Sequence, residues 1–240
     1  MKKNNLSWMT IAMMAFVCVG FFACGGGDDD DDVTNGQYNK VDPPSNGDSD
    51  PNVVDLGLSV KWASCNVGAS KPEEFGGRYA WGETVEKNKY SEENYTLAKP
   101  VKAYEKDYSK QYTFYDYENI DIMATKYDVA YAKCGSKWRM PLQSECLELV
   151  TKCDVVETTK NGVKGFKYTG SNGNSIFIPF KDKMTDQCWT TDSRDVYYTN
   201  YICSVTRTPM NAYTFYGKNC GEYTFASKDL GLRVRPVMEY

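Results

Sequence analysis

Histidine is absent from this chain of 240 residues, which carries nine cysteines and 19 tyrosines. Without an imidazole, Ser-His-Asp and Cys-His nucleophile systems are excluded in their ordinary forms, and so are zinc sites that use histidine. A hydrolase would have to work with carboxylates alone, and the 32 Asp and Glu residues are too scattered to identify a pair. The cysteines include no CxxC spacing for zinc or redox chemistry. We therefore predict that the chain is not an enzyme and that it has no cofactor and no metal site.

Cys24 is the cysteine whose surroundings specify a chemistry. It follows two lysines near the start of the chain and an uncharged, apolar run of about 18 residues at 6–23, the pattern of a secretory signal peptide. A retained transmembrane helix is the alternative, because that length just spans a bilayer. Residues 21–24, FFAC, resemble a bacterial lipobox in which Phe21 replaces the usual leucine. We predict cleavage before Cys24 and acylation of its thiol, which would hold the protein on a membrane.

Three glycines and five aspartates, GGGDDDDD, follow the cysteine at residues 25–32. The glycines form a flexible tether, and the aspartates stay solvated outside the lipid because they cannot enter hydrocarbon or pack into a core. One interpretation is a plain solvated spacer. The acidic run is also similar to the surface-export signal of Bacteroidetes lipoproteins, and we favour that interpretation. It predicts a protein anchored by lipid in the outer membrane and facing the cell exterior.

Composition divides the chain into three parts. Residues 1–23 are the predicted signal peptide, and residues 24–52 hold the lipidated cysteine, the acidic run and a linker rich in Asn, Gly, Asp, Pro and Ser, which we expect to be disordered. Residues 53–240 have the texture of one folded domain. Subtracting the two N-terminal lysines and the five aspartates from the totals leaves 26 basic and 27 acidic residues. Because these charges are mixed, with no basic patch, a nucleic-acid partner is not expected.

Hydrophobic patterns predict the elements of this domain. Residues 54–62 alternate between apolar and polar side chains, as a half-buried strand does. A short helix ending at Gly135 and a second helix over residues 141–153 follow a long polar segment at 85–127. The other predicted elements are a helical turn at 71–77, strands at 78–84, 188–192, 200–206, 212–217 and 230–237, and a hairpin at 162–180. Together these elements predict an α+β domain.

Several motifs occur in a fixed order along the domain: VDLGLSVKWASCNVGA, RYAWGET, DVAYAKCGSKWRMP before a helix, NGVKGFKYTG, NSIFIPF, CWTTD, NAYTFYG and LGLRVRPV. Together they resemble a large family of Bacteroidetes surface lipoproteins that carry the Fibrobacter succinogenes major paralogous domain. The resemblance implies a fold similar to C-type lectin-like and formylglycine-generating-enzyme-like domains, with a twisted antiparallel sheet, one or two short helices and long loops. The catalytic cysteine pair of the latter enzymes does not map onto this chain, and the Glu-Pro-Asn, Gln-Pro-Asp and Trp-Asn-Asp motifs of calcium lectins do not occur.

Two departures from the family concern the helices. Leu142 stands where the family usually has a threonine cap, and a leucine cannot cap, which predicts a frayed first turn at a cost of about 1 kcal/mol. Tyr131 stands where the family often has histidine. Cys146 and Cys153 share a face of the second helix but lie roughly 10 Å apart along its axis, so we expect no bond between them. Most of the seven cysteines after Cys24 are interpreted as small buried hydrophobes.

Aromatic residues supply the candidate core and the candidate site. We expect Trp62, Trp81, Trp138 and Trp189 to lie in the core. Tyrosine offers a stiff ring with a polar tip that suits contact with sugars or proteins. The candidate ligand-binding residues are Tyr104, Tyr108, Tyr112, Tyr115 and Tyr117 in the long polar segment, with Tyr197 and Tyr198 in a presumed loop. The alternative is that the tyrosines pack that segment onto the sheet.

These observations favour a noncatalytic binding or adhesion module on the cell surface, with a glycan or a surface protein as its ligand. One alternative is a glycoside hydrolase that uses two carboxylates. A second alternative is a structural subunit of a surface filament, which would need a strand-like N-terminal extension or an open groove in a sheet. Residues 33–52 have the composition of a stalk instead.

Overall fold

A computed structural model describes residues 51–104, 111–181, 186–194 and 210–240. The helices are α1 (Val129–Cys134) and α2 (Gln143–Lys152), with a short 3-10 helix at Glu92–Asn94. The strands are β1 (Val53–Val54), β2 (Lys61–Ala63), β3 (Ala98–Tyr104), β4 (Gln111–Tyr117), β5 (Asp154–Lys160), β6 (Val163–Thr169), β7 (Ser175–Pro179), β8 (Cys188–Arg194), β9 (Asn211–Tyr216), β10 (Asn219–Ser227) and β11 (Val237–Met238). The predicted strand at 200–206 lies outside the described residues.

The strands form antiparallel sheets, as expected for the predicted α+β class. Within the described residues they divide among four small sheets, with the orders β1-β2-β11, β10-β9-β8, β3-β4 and β5-β6-β7. Each pair of neighbouring strands in these sheets is antiparallel. The architecture is therefore mostly antiparallel sheet with two short helices.

The alternating segment at 54–62 is buried as predicted but is not a continuous strand. Leu56, Leu58 and Val60 are buried, whereas Gly57 and Ser59 between them are exposed. Only the two ends of the segment carry strand pairing, in β1 and β2, which pair with each other. The alternation therefore records which side chains face the core, and it occurs here in a bend without ladder hydrogen bonds.

Two neighbouring expectations were also wrong in detail. The predicted helical turn at 71–77 is a plain turn, closed by a hydrogen bond from the Glu74 nitrogen to the Lys71 oxygen. The predicted strand at 78–84 is reduced to an isolated bridge between Tyr79 and Leu232. Tyr79 and Trp81 are nevertheless both buried.

Both predicted helices are present, and α2 is capped from a distance. Gly135 ends α1 with a φ of 95°. Leu142 has no side-chain oxygen to cap α2, but the Asp192 carboxylate, from β8, accepts a hydrogen bond of 2.5 Å from the Gln143 nitrogen. Glu145 accepts a second bond of 2.8 Å from the Leu142 nitrogen. The expected fraying is therefore countered by two carboxylates near the positive end of the helix.

Two hairpins with tight turns build the sheet β5-β6-β7. The predicted hairpin is confirmed, since β6 pairs with β7 across residues 170–174. The other hairpin joins β5 to β6 through Asn161 and Gly162, which both have positive φ. This is the two-residue turn that Asn-Gly sequences favour. Strand β5 and strand β10 were not predicted.

The four predicted core tryptophans are confirmed, each at most 1% exposed. In two of them the ring N–H donates a hydrogen bond to a backbone carbonyl. Trp81 donates to the Thr190 oxygen at 3.0 Å, and Trp189 donates to the Tyr79 oxygen at 2.8 Å. Pairing the N–H removes the cost of burying it. The tryptophans therefore hold separate segments together as well as filling space.

Arg235 joins two of the sheets from inside the core. It is fully buried, and its three nitrogens donate to the Asn66 side chain, the Ala63 carbonyl and the Phe177 carbonyl at 2.9–3.0 Å. Burial lowers its pKa to about 10. Because all its acceptors are neutral, the guanidinium depends on their fixed positions, which ties β2 to β7.

The cysteines largely follow the expectation of burial. Cys65, Cys146, Cys153 and Cys188 are buried, and Cys134 and Cys220 are half-buried. All six are free thiols, so Cys146 and Cys153 do not bond to each other. Cys203 lies outside the described residues.

Candidate binding site

The tyrosine-rich segment contains a two-stranded ribbon formed by β3 and β4. Among the described residues these strands pair only with each other, in a register from Ala98↔Tyr117 to Tyr104↔Gln111. Directly paired residues share a face and successive residues alternate. Positions 104, 115 and 117 therefore lie on one face of the ribbon, and position 112 lies on the other. The ribbon thus brings three of the predicted binding positions onto one face.

Tyr117 anchors the base of the ribbon. It is 1% exposed, and its hydroxyl lies 3.0 Å from Glu92 Oε1 and 3.2 Å from Asp229 Oδ1. Its ring packs against Tyr95 with 5.4 Å between centroids, and the Tyr95 hydroxyl donates to the Trp81 carbonyl at 2.7 Å. Burial raises the pKa of both tyrosines, so both stay protonated. The base is therefore rigid and continuous with the core.

Glu83 fixes the point where the chain enters β3. This carboxylate is 7% exposed, and its Oε1 accepts two bonds of 2.8 Å from Thr96, one from the nitrogen and one from the hydroxyl. Lys87 donates to the same oxygen at 2.8 Å and also bonds the Asn94 carbonyl. Charged groups this well bonded hold the preceding turn in place. The direction of the ribbon is thus set by a network outside its own strands.

The seven predicted binding tyrosines occupy different positions. Tyr115 is half-buried on the ribbon and packs partly against the cluster of Ala80, Tyr95, Leu97 and Tyr117. Tyr117 is buried and offers no exposed ring face. Tyr104 ends β3, and Tyr112 is the second residue of β4. Tyr108, Tyr197 and Tyr198 lie outside the described residues, as does the predicted lipidation site, Cys24.

A second aromatic group was missed by the sequence reasoning. Phe166 stacks on Phe180 with 4.8 Å between ring centroids, and Tyr216 meets each of them edge-on at 5.4 Å. All three are half-buried. Phe166 and Phe180 lie in the two arms of the predicted hairpin, but the prediction did not bring them together. Tyr216 ends a strand of a different sheet, so no local pattern indicated its position.

Three surface depressions in the described part of the chain offer at most one carboxylate each. A depression of about 390 Å³ on the β5-β6-β7 sheet is lined by polar, basic and apolar side chains without an acid. A smaller one of about 160 Å³ includes Glu74, whose pKa is lowered by hydrogen bonds from Ser70. A very small cavity of about 10 Å³ is lined by Asp186, which lies 3.6 Å from Arg233. None of these three depressions holds the two carboxyl groups that a glycoside hydrolase requires as its acid and its base.

The one carboxyl with a raised pKa among the described residues is Asp128, and its position is structural. It is fully buried and accepts hydrogen bonds from four backbone nitrogens. Burial raises its pKa to about 6. Because backbone donors occupy both of its oxygens, it has no free position for a substrate.

Within the described ranges, no group of three or more acidic or cysteine side chains is placed to hold a metal ion. The helices in those ranges are also too short or too polar to cross a membrane. Comparisons with protein-family models, curated proteins and solved structures find no match to this chain. Its functional interpretation therefore depends on its own residues and geometry.

Proposed function

We propose that this chain is a surface-anchored lipoprotein whose domain at residues 53–240 is a noncatalytic binding module, with the β3-β4 ribbon as its contact surface. The observation that carries the proposal is the ribbon itself, which is rich in tyrosine, held at its base by Tyr117 and paired only with itself among the described residues. A ribbon with fixed register presents its side chains at a low entropic cost on binding. This favours recognition by contact over chemistry.

The proposal includes the anchor and the fold type. Cys24 carries the lipid, the membrane is the first partner, and the acidic run places the protein on the outer face of the outer membrane. The domain is of the C-type lectin-like type and belongs with the surface lipoproteins that it resembles. The antiparallel strands and two short helices are compatible with that architecture.

The ligand that we place first is a glycan. Tyrosine rings stack on the apolar faces of sugars, and their hydroxyls bond to sugar hydroxyls. Lys99 is largely exposed at the ribbon and pairs with Glu118 at 3.2 Å, so the surface is mixed in charge and does not select a strongly charged ligand. A protein ligand remains the alternative, and the experiment below separates the two.

The test is glycan-array binding of the full-length chain in detergent, compared with a variant that carries Tyr104→Ala, Tyr112→Ala and Tyr115→Ala. Tyr117 is kept, because its removal would disturb the core. We expect selective glycan binding by the wild type and a loss of at least tenfold in the variant, about 1.4 kcal/mol. Near-native circular dichroism of the variant shows that the loss comes from the surface.

The matched control is Tyr240→Ala, which removes a tyrosine that is 66% exposed and remote from the ribbon in sequence. Its glycan binding should equal that of the wild type. Equal binding by the ribbon variant would show that the ribbon is not the contact surface. Binding of no glycan by the wild type would reject the glycan and direct the search to surface proteins.

A further inference from the structure

Two cysteines from different elements meet where α2 packs against β10. Cys146 lies near the start of α2 and is fully buried, and Cys220, the second residue of β10, is half-buried. The Cys220 sulfur lies 3.6 Å from the carbonyl oxygen of Gln143, three residues before Cys146 on the helix. A helical side chain leans back over the residues three and four positions before it, so the Cys146 thiol lies beside the same turn, close enough to Cys220 for each thiol to shift the pKa of the other. Helix and strand are therefore close enough at this point for their sulfurs to interact directly.

The contact makes the two thiols chemically unequal. The pKa of the Cys146 thiol is raised well above its usual value, mainly by burial and also by the nearby Cys220, Cys188 and Glu145. The pKa of Cys220 is lowered by its interaction with the Cys146 thiol, against the effects of burial and of the Asp192 carboxylate. Since the thiolate is the form that attacks a disulfide, Cys220 is the attacking sulfur.

A third thiol lies near this pair but is unsuited to it. Cys188 is 1% exposed, and burial raises its pKa to about 12, although the nearby Arg235 and Arg233 act in the opposite direction. It therefore stays protonated and shielded. Cys220 is the more exposed member of the three, so an external reagent meets it first.

We propose that Cys146 and Cys220 form a dithiol site whose substrate is a disulfide and whose product is an internal bond joining α2 to β10. The Cys220 thiolate attacks one sulfur of the external disulfide, which breaks and releases one thiolate. The thiolate released in the first step takes the proton of Cys146, and the Cys146 thiolate then attacks the Cys220 sulfur of the mixed disulfide. The second external sulfur departs as a thiolate. Two electrons pass from the protein to the external disulfide, so no other oxidant is required.

The test is disulfide mapping of the full-length chain in detergent. The reduced protein is treated with oxidised glutathione while folded, quenched with acid, unfolded, alkylated and digested with trypsin. Trypsin separates the three neighbouring thiols, because residues 140–152, 219–228 and 184–194 each contain one cysteine. We expect the 140–152 and 219–228 peptides to be joined in most molecules. A bond from either to 184–194, or full alkylation of both, would overturn the proposal.

Single variants test the order of attack. With Cys146→Ser there is no resolving thiol, so we expect glutathione to remain attached to the 219–228 peptide. With Cys220→Ser we expect modification of the 140–152 peptide to be at least tenfold slower. The control is Cys153→Ser, which removes a thiol just after the same helix and should leave the linked peptides unchanged. If Cys146 is modified as fast in Cys220→Ser as in the wild type, the assigned order of attack is wrong. The disulfide map of the wild-type protein tests the dithiol site itself and needs no variant.

Discussion

At the scale of single residues, Asp128 holds three segments together. Its Oδ1 accepts from the Ala130 and Tyr131 nitrogens at 2.9 and 3.2 Å, which caps α1. Its Oδ2 accepts from the Ala124 nitrogen at 3.1 Å and the Met140 nitrogen at 2.9 Å. These bonds favour the charged form, whereas complete burial opposes it and has the larger effect, so the pKa rises to about 6.

A raised pKa in the folded protein makes its stability depend on pH in a definite direction. The folded protein binds the Asp128 proton more readily than the unfolded chain, whose value is 3.8. The stability that this proton contributes to the folded protein is present below pH 4 and is lost as the pH rises through 6. The free energy of unfolding falls by at most about 3 kcal/mol over this range. We predict that the free energy of unfolding of the wild type, relative to Asp128→Asn, declines across this window in urea titrations.

A difference between these two proteins that stays constant from pH 4 to 7 would contradict the prediction. Because Asp128→Asn loses acceptors for backbone N–H groups, it should be the less stable protein at every pH. If the variant does not fold, NMR titration of the wild-type carboxyl measures the same pKa directly.

Residue types predicted the core better than they predicted the polar interior. The four tryptophans were assigned to the core on composition and neighbours, and all are buried. Arg235 is as deeply buried, yet its partners come from residues 63, 66 and 177. A charged side chain in a sequence is normally read as exposed. The burial of Arg235 depends on hydrogen-bond acceptors that only the assembled fold brings together.

At the scale of elements, the residues of one turn indicated a strand that the hydrophobic pattern did not. Asn161 and Gly162 form a two-residue turn with positive φ, and this pair is among the strongest local signs of a hairpin. Strand β5 before it has one buried side chain, Val155, among otherwise exposed residues, so alternation did not indicate it. Strand β10 is interrupted by an irregular register between Cys220 and Phe225, which hides its periodicity.

The cap of α2 gives a prediction at this scale. Asp192→Ala removes the acceptor of the Gln143 nitrogen and should lower the free energy of unfolding by about 1–2 kcal/mol, because Leu142 cannot replace it. The corresponding fall in Tm is about 2–8 °C for a domain of this size. Thermal unfolding followed by circular dichroism measures it. Asp154→Ala, an exposed aspartate in β5, is the control and should change Tm by less than about 1 °C.

An unchanged Tm in Asp192→Ala would show that Glu145 alone is enough to hold the first turn of α2. That carboxylate also forms a bidentate pair with Arg139, at 2.8 and 2.5 Å. Its place is therefore fixed independently of Asp192. The sequence indicated a missing cap at Leu142, and the replacement was not predictable because it comes from a strand 50 residues further along the chain.

At the scale of the whole molecule, the outer part of the ribbon is an addition to the core, whereas its base at Tyr117 belongs to the core. Among the ribbon residues whose side chains the structure describes, Tyr115 packs only at the edge of a core cluster, and none of the clusters includes Pro100, Val101, Lys102, Gln111 or Thr113. We predict that replacing residues 100–115 with Asn-Gly, which joins the paired Lys99 and Asp116 through a two-residue turn, leaves the domain folded. Its Tm should change by less than about 4 °C, which corresponds to about 1 kcal/mol.

The comparison for this deletion is Tyr117→Ala in the intact ribbon. It empties a buried site beside Tyr95 and should cost about 3 kcal/mol or more. The opposite result would be a deletion variant that no longer melts cooperatively beside a Tyr117→Ala variant that still does. It would show that the outer part of the ribbon, and not its base, supports the core.

The fold class was predictable because it follows from local patterns that repeat along the chain, such as helix caps and hairpin turns. The division into four sheets was not, since it depends on contacts between distant segments. The same limit applies to the site. Tyrosine content indicated the segment, but only the register shows that position 112 lies on the opposite face from positions 104, 115 and 117.

The sheet β1-β2-β11 joins the start of the described domain to its other end, since Trp62 pairs with both Val54 and Val237. During synthesis this sheet stays incomplete until residue 237 has left the ribosome. Until then, Trp62 lacks part of its cover, and a stable native core is delayed. For a chain that we expect to cross a membrane before it folds, this delay keeps the polypeptide open to translocation.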